Sequence, residues 1–447
     1  MAARFAASEA FGCMGELTIH WPDADAERVR AARGRLDVAG RRLRARSRND
    51  ILDALGSVFD LWCNAKSSWR RELLERLPAV TGFGSEVVRV GLDHGLSHWT
   101  GAALGDALRH ELGPMLGVPR RRVAPFAMTS LSLAGCIPMP TLLQCVLPLA
   151  VQSAVLVKSA SRDPVTPELV ARSIASVDPE LGRCIEVVAF PGDDPQCATH
   201  FLASECVVAS GSDQTIGAIR ARLRASQRFV GYGHKLSIAV VGTGATREPD
   251  LFDLARRLSL DVALWDQLGC LSPLAIYVVG VDSDQAAATL GRALAEALGV
   301  REQEMPRGEV DRATVATIRQ ARDEADMRAA DGRRVRVHAS EGSAWTVVVE
   351  DEAVFRGSPG HRFVRVHPVP DLDGLSAALR PIGRHLSAAA VAGFDTETPE
   401  GVLTAHGASR LCAPGSLQAP AVSWPHDGRP ILLPLTRFTE VEAATRE

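Results

Sequence analysis

The sequence predicts an α/β protein built on mostly parallel sheets, and three observations carry that prediction. From Val123 onward short apolar runs alternate with helical stretches: VAPFAM, PTLLQCVLPLAVQ, AVLVK, PELVARSIASV, IEVVAF, ECVVAS and DQTIGAIRARL. Alternation of this kind builds right-handed βαβ units. Two more such units follow, RFVGYGHKLSIAVVG with a helix around Leu251, Leu254, Ala255 and Leu258, then DQLGCLSPLAIYVVGVDSDQAAATLGRALAEAL, so the chain carries at least two α/β layers. Its 447 residues allow two or three domains at roughly 100–200 residues each.

Before Val123 the pattern is helical. Ile51, Leu55, Val58 and Trp62 recur at helical spacing, with Asn49 and Asp50 placed to cap the start, and Trp69, Leu73 and Leu77 continue a second face. Pro148 sits inside the helix PTLLQCVLPLAVQ and predicts a kink or an early end. Residues 309 to 331 read as a charged helix, and VRVHA, AWTVVVED and RFVRVHPV as antiparallel strands. The closing stretch, with Pro414, Pro420, Pro425, Pro430 and Pro434, reads as an extended segment running back over another domain or subunit. The Gly242-Thr243-Gly244 turn gives the domain boundary, dividing the chain into residues 1–242, 243–405 and a C-terminal segment 406–447.

Composition excludes several classes. Hydrophobic residues at 46% and charged residues at 23% argue against disorder and fibrous repeats. A net charge of −3 gives no electrostatic reason for a nucleic-acid or anionic-membrane partner. The nine cysteines are dispersed, with no CxxC pair and no zinc-site spacing, so no metal is expected and a reducing compartment is. The opening MAARFAASEAFGCMGELTIH lacks a basic head and an uninterrupted apolar core, which suits a cytoplasmic protein. No charged side chain occurs from Val123 to Val157, but Pro125, Pro138, Pro140 and Pro148 divide that run into pieces too short to span a bilayer.

Four places can carry chemistry. Lys158 ends the strand AVLVK, where nucleotide ligands bind in an open α/β sheet, although a surface lysine reads the same way. Ser210-Gly211-Ser212 leads from a strand into a helix with Gly217 one turn inside; glycine lets a phosphate approach and a helix start offers N–H groups, yet the spacing is not GxGxxG and also fits a plain βα turn. Cys270 follows Gly269 between an apolar helix and a buried strand, as a nucleophile or as an inert core thiol. His234 stands at a turn before a strand, as a general base for a thiol or as a turn histidine bonded to backbone.

The order of these places resembles the aldehyde dehydrogenase superfamily. More narrowly, AGCIPMP, AVLVKSASRDPVTPELVARSIASVDPELG, RFVGYGHKLS, DVALWDQLGCLSP and HDGRPILLPLTRF resemble the LuxC-type acyl-CoA reductases of bacterial fatty-acid reductase complexes. The resemblance implies an aldehyde-dehydrogenase-like fold with a Rossmann-like dinucleotide domain and an α/β catalytic domain. Cys270 would take an acyl group from a thioester, Lys158 would hold the adenosine ribose or its phosphate, and Gly211, Ser212 and Gly217 would line the dinucleotide. Aldehyde-oxidising relatives activate water with a glutamate; the matching segment here, Gly231-Tyr232-Gly233-His234-Lys235, has no carboxylate, so an acyl-enzyme would persist long enough to be reduced. Where the superfamily places an asparagine amide on the oxyanion, this chain reads Gly135-Cys136-Ile137-Pro138, and a thiol is a weak donor.

The expectation is therefore an NADPH-dependent reductase of acyl-CoA or acyl-carrier protein, working through an acyl-cysteine on Cys270 with His234 as base and Cys136 in the oxyanion site. NADPH is expected over NADH because Lys158, Ser159, Ser161 and Arg162 offer cationic and neutral groups to a 2′-phosphate, with no acid nearby before Asp163. A homo-oligomer and an acyl-protein synthetase or acyltransferase partner are expected by analogy. The alternatives are an aldehyde-oxidising dehydrogenase and a catalytically idle scaffold subunit.

Overall fold

The structure, a computed structural model, describes residues 25–116, 121–395 and 398–441. Cys13 and the opening segment on which the leader reading rests lie outside them. In chain order the elements begin with five helices: α1 (Ala26–Ala45), α2 (Arg48–Cys63), α3 (Ser68–Thr81), α4 (Ser85–Gly95) and α5 (Gly101–Leu116). Then come β1 (Arg121–Pro125), β2 (Met128–Ser132), α6 (Pro138–Ala150), β3 (Ala154–Lys158), α7 (Val165–Val177), α8 (Pro179–Gly182), β4 (Ile185–Val188), α9 (Pro195–Phe201), β5 (Cys206–Ser210), α10 (Asp213–Ala221) and β6 (Arg228–Tyr232). The rest is β7 (Leu236–Gly242), α11 (Asp250–Ala263), β8 (Pro273–Val279), α12 (Ser283–Glu304), α13 (Arg312–Ala330), β9 (Arg336–Ala339), β10 (Thr346–Val349), β11 (Phe363–Val369), α14 (Leu372–Leu379), β12 (Leu386–Ala392), α15 (Glu400–Ala405), β13 (Arg410–Cys412) and β14 (Thr436–Glu440).

The described residues divide into two units, the first comprising 25–81, 95–233 and 421–441 and the second 82–94 and 234–420. The chain passes from the first to the second at Gly233–His234, so RFVGYGHKLSIAVVG, which reads as one run, is two strands in two sheets. Gly242 lies inside the second unit at the end of β7, and the closing stretch is divided, its part up to Pro420 belonging to the second unit and its part from Ala421 to the first.

In the first unit five parallel strands lie in the order β4-β3-β2-β5-β6. Chain order reverses between β2 and β5, and such a reversal opens a crevice at the strands' carboxyl ends. Ile51, Leu55, Val58 and Trp62 of α2 are fully buried, as their spacing requires. The cap of α2 is Ser47, not Asn49 or Asp50; the helix starts at Arg48, which leaves Asp50 in the first turn against the positive end of the helix dipole. Helix α6 stops at Ala150, soon after Pro148. From Ala421 the closing stretch runs back along the same unit: β14 pairs antiparallel with β1, and the Glu111 carboxylate accepts the N–H groups of Ile431, Leu432 and Leu433 at 2.8, 2.7 and 3.0 Å.

The second unit carries seven strands in the order β13-β12-β7-β8-β11-β10-β9. Only β9 runs antiparallel; β10, β11 and β8 are mutually parallel, which corrects the antiparallel reading of AWTVVVED and RFVRVHPV. The physical reason is burial. All seven residues of β7, β8 and β11 are buried, the condition of central parallel strands covered on both faces, and the stretch from 350 to 362 between β10 and β11 is a crossover instead of a hairpin turn. Among the described residues no helix is long and apolar enough to cross a membrane.

A tight contact anchors this unit's helical layer. The Trp265 indole is fully buried, meets Phe83 edge to face at 5.6 Å, and lies so close to α4 that a Cβ added at Gly91 would fall 2.4 Å from its ring. Gly91→Ala is therefore expected to destabilise the protein by about 1–3 kcal/mol through overpacking, read as a lowered denaturation midpoint; Gly217→Ala, where an added Cβ meets open space, serves as the control.

Candidate active site

Among the described cysteines Cys270 alone is exposed; Cys63 and Cys412 are partly buried and the others buried. Burial raises the thiols of Cys145 and Cys206 to about 12 and those of Cys184 and Cys412 to about 11, which keeps them protonated at neutral pH and marks them as packing residues. Cys270 stands in a short loop between a 3-10 turn, Leu264–Gln267, and β8.

The backbone before that loop is unusual. Trp265, Asp266 and Gln267 have φ of 55°, 49° and 61°, three consecutive non-glycine residues in the left-handed region, each costing about 1–2 kcal/mol. Side chains hold them there. The buried Arg362 guanidinium donates to Asp266 Oδ1 through Nε and Nη2 at 3.1 and 2.8 Å and to Glu302 at 2.7 Å, while Asp266 Oδ2 accepts the Gly308 N–H at 3.1 Å. Burial pushes the Asp266 carboxyl up and the Arg362 charge pulls it back. Gln267, fully buried, donates to the Pro273 and Phe363 carbonyls at 2.9 Å each and accepts the Phe363 N–H at 2.7 Å, so its amide joins the starts of β8 and β11. Strain over-determined by its surroundings in this way is characteristic of functional sites.

His234 and Cys270 both precede the amino ends of neighbouring parallel strands, β7 and β8. Around His234 the chain is tied to the turn before β12: His385 Nδ1 bonds the His234 carbonyl at 3.1 Å, the two imidazoles lie 5.6 Å apart, and Lys235 donates to the Arg384 carbonyl at 3.2 Å. Because Arg384 Nε donates to His385 Nε2 at 2.9 Å, the proton of a neutral His385 sits on Nδ1, which donates to His234. Sequence reasoning did not find His385, because it lies outside the motifs singled out and its pairing with the His234 segment is made only by strand order, β12 lying beside β7.

The first unit holds a second constellation. Helix α10 buries none of its residues, and its Gln214, Thr215, Ala218 and Ile219 face a cavity of about 470 Å³ also lined by Ser132, Lys158, Phe190, Gly192, Asp193 and Arg222. Ser132 and Lys158 end β2 and β3, so the cavity lies at the carboxyl edge of the sheet, beside the reversal of strand order. Lys158 Nζ sits 5.1 Å from the Phe190 ring centre, and burial lowers its pKa. Ser212 caps α10 by accepting the Thr215 N–H at 3.2 Å, and an added Cβ on Gly211 would press to 3.3 Å from Thr215. The slot thus combines a cation at one strand end with Gln214 and Thr215 from the first turn of α10, while Gly211 and Ser212 stand next to it without lining it.

The other predicted residues stand apart from this cavity. Ser159 is buried, its hydroxyl donating to the Val188 carbonyl at 3.4 Å; Arg162 is partly buried and does not line the slot; Gly217 is exposed on α10. Asp163 turns inward to accept the N–H groups of Val165 and Thr166 at 3.1 and 2.8 Å. Cys136 lies buried in the loop between β2 and α6. Phe190 and Arg222 were missed, being an ordinary strand-flanking aromatic and a surface arginine in sequence.

The fold compares with aldehyde dehydrogenases. An NAD-dependent benzaldehyde dehydrogenase from Corynebacterium glutamicum superposes with a TM-score of 0.70 over 96% of this chain and 95% of that one at 14% identity. The NADP complex of the glyceraldehyde-3-phosphate dehydrogenase GapN from Methanocaldococcus jannaschii gives 0.69 over 96% and 98% at 10% identity. The molecule thus has the aldehyde-dehydrogenase fold. In sequence it is similar to the long-chain acyl-protein thioester reductase of Photorhabdus luminescens, 23% identical over 86% of this chain and 80% of that protein, and to the long-chain acyl-protein thioester reductase 2 of Photobacterium leiognathi, 22% identical over the same shares. Residues 43–440 match the family model described as acyl-CoA reductase (LuxC): the chain belongs to that family and is an aldehyde-forming acyl reductase.

One buried carboxyl near the cysteine loop gives a pH signature. Asp261 of α11 accepts the N–H groups of Gly415 and Leu417 at 2.6 and 3.0 Å, fixing the segment from which Gln418 donates to Ser272 Oγ at 2.8 Å. Burial raises the Asp261 carboxyl to about 7 despite these donors. The unfolded value is ~3.9, so the folded state holds this proton more tightly, and the stability it contributes is full below pH ~4 and lost as pH rises through about 7. Asp163, raised to about 6, acts in the same direction. The Tm of the wild type is expected to fall across that window by a component absent in Asp261→Asn; parallel Tm curves for the two proteins contradict the assignment.

Proposed function

We propose that this protein reduces a long-chain acyl thioester, carried on CoA or on a protein, to the aldehyde through an acyl-cysteine on Cys270, with NADPH as reductant. The observation that carries this reading is the exposure of Cys270 on a loop held by a locked left-handed turn, within a family of acyl reductases.

His234 takes the proton of the Cys270 thiol, and the thiolate attacks the thioester carbonyl. The bond from the carbonyl carbon to the carrier sulfur breaks, the departing thiolate takes the proton from His234, and the acyl group stays on Cys270. When bound, the reduced dinucleotide supplies hydride to the acyl carbon. The tetrahedral anion so formed collapses as its carbon–sulfur bond breaks, releasing aldehyde and the Cys270 thiolate, which takes up one proton from solvent through His234 to return the thiol. Gly231 to Lys235 hold no carboxylate to activate water, so hydrolysis does not compete.

Lys158 and Arg222 line the slot and would hold the adenosine end of the dinucleotide, its 2′-phosphate included, with Phe190 beneath the lysine. Asp193 also lines it and opposes them, whereas Asp163 is turned away as a helix cap. Cys136 is proposed for the position of the usual oxyanion amide on the resemblance of Gly135-Cys136-Ile137-Pro138 alone.

Incubation with a long-chain acyl-CoA should leave one acyl group on Cys270, mapped by mass spectrometry, and Cys270→Ala should abolish it; an adduct on another cysteine, or none, overturns the reading. For the cofactor, Lys158→Ala should raise the KM for NADPH about tenfold or more while changing that for NADH little. Equal effects on both dinucleotides would place Lys158 away from the 2′-phosphate.

A further inference from the structure

The cysteine loop enters the sheet where the ladder cannot hold it. Pro273, the first residue of β8, has no N–H, and the β7–β8 register slips between Ser237, opposite Pro273, and Ile238, opposite Ala275. At this defect a side chain takes over: the Ser237 hydroxyl donates to the carbonyl of Cys270 at 2.8 Å. Ser237 is itself fully buried at the start of β7, so its hydroxyl is directed by packing on a rigid strand. The other two loop tethers fall on either side of the cysteine, at Gln267 before it and at Ser272 after it, where Gln418 donates. Ser237 alone of these three side chains bonds the cysteine's own peptide.

We propose that Ser237 is a positioning residue for the acyl-transfer step: by bonding the Cys270 carbonyl it fixes the backbone of the cysteine, and with it the aim of Cys270 Sγ, at a strand start where Pro273 donates no hydrogen bond. This rests on the reading of Cys270 as nucleophile. The sulfur of an attacking cysteine must stay in line with a carbonyl through addition and again through collapse, and small misplacements of a reacting atom are costly in rate while leaving ground-state binding unchanged. A hydroxyl on a central strand supplies that constraint without occupying space on the substrate side.

The test uses the whole protein with tetradecanoyl-CoA as probe, comparing wild type, Ser237→Ala and Ser237→Thr. Single-turnover acylation of Cys270 is expected to slow about tenfold in Ser237→Ala, with half-saturation by acyl-CoA and the rate of Cys270 alkylation by iodoacetamide both within about twofold of wild type. Ser237→Thr, which keeps the hydroxyl on a strand that suits a β-branched residue, should recover most of the loss. Acylation at the wild-type rate in Ser237→Ala overturns the proposal, as does an equal loss in Ser237→Ala and in a Ser237→Thr variant that melts like wild type. If acylation and alkylation fall together with a lowered Tm, Ser237 serves only the fold and the proposal also fails. Failure of the underlying reading is distinct: wild-type protein would then carry no acyl group on Cys270.

Discussion

The cysteine loop depends on one buried ion pair. Arg362 and Asp266 meet out of reach of water, the arginine shared with Glu302 and the Met305 carbonyl and the aspartate with the Gly308 N–H. A buried pair adds little net stability over an apolar core, but removing one partner leaves a charge stranded at a cost of several kcal/mol. The molecule therefore has a strong reason to keep Asp266 where it is, and with it a left-handed turn that Asp266 alone tolerates locally and that Trp265 and Gln267 would not choose. The turn in turn sets where the chain leaves α11 and where Cys270 emerges. Gln267 extends the same constraint to the sheet by joining the first residues of β8 and β11 through one amide.

Chemistry is divided between two kinds of sheet edge. In the first unit the slot lies at the carboxyl ends of β2 and β3, beside the reversal of strand order, an edge where open α/β sheets generally take their ligands. In the second unit His234 and Cys270 stand at the amino ends of β7 and β8, an edge with no such general affinity for anions. The proposed cysteine chemistry needs instead a fixed nucleophile and a base, and the two residues proposed for these roles lie on segments tied down through side-chain bonds to backbone carbonyls, from Ser237 to Cys270 and from His385 to His234.

Much of this was legible in the sequence. Buried parallel strands announce themselves as apolar runs, so β3, β5, β7 and β8 stood out, as did the helices between them. Cys270 and Lys158 drew attention in the sequence because Lys158 ends such a run and Cys270 shortly precedes one. Pairing was not: β10 and β11 resemble hairpin partners in composition, and only the crossover between them makes them parallel. The left-handed turn was invisible because it contains no glycine and its stabilising arginine lies 96 residues away. Phe190 and Arg222 carry no mark in a linear reading; they matter because the strand order brings β4 and the end of α10 beside Lys158.

The central claim is that the acyl group rests on a cysteine protected from hydrolysis until reductant arrives. Its most direct measurement is thiol release on mixing the enzyme with a long-chain acyl-CoA in the absence of dinucleotide, followed by addition of NADPH. The account predicts a burst of one equivalent of CoA per chain, a stable plateau, and then stoichiometric aldehyde when NADPH is added. Continuous release of CoA and free fatty acid before any NADPH, or aldehyde formation with no burst, would contradict it.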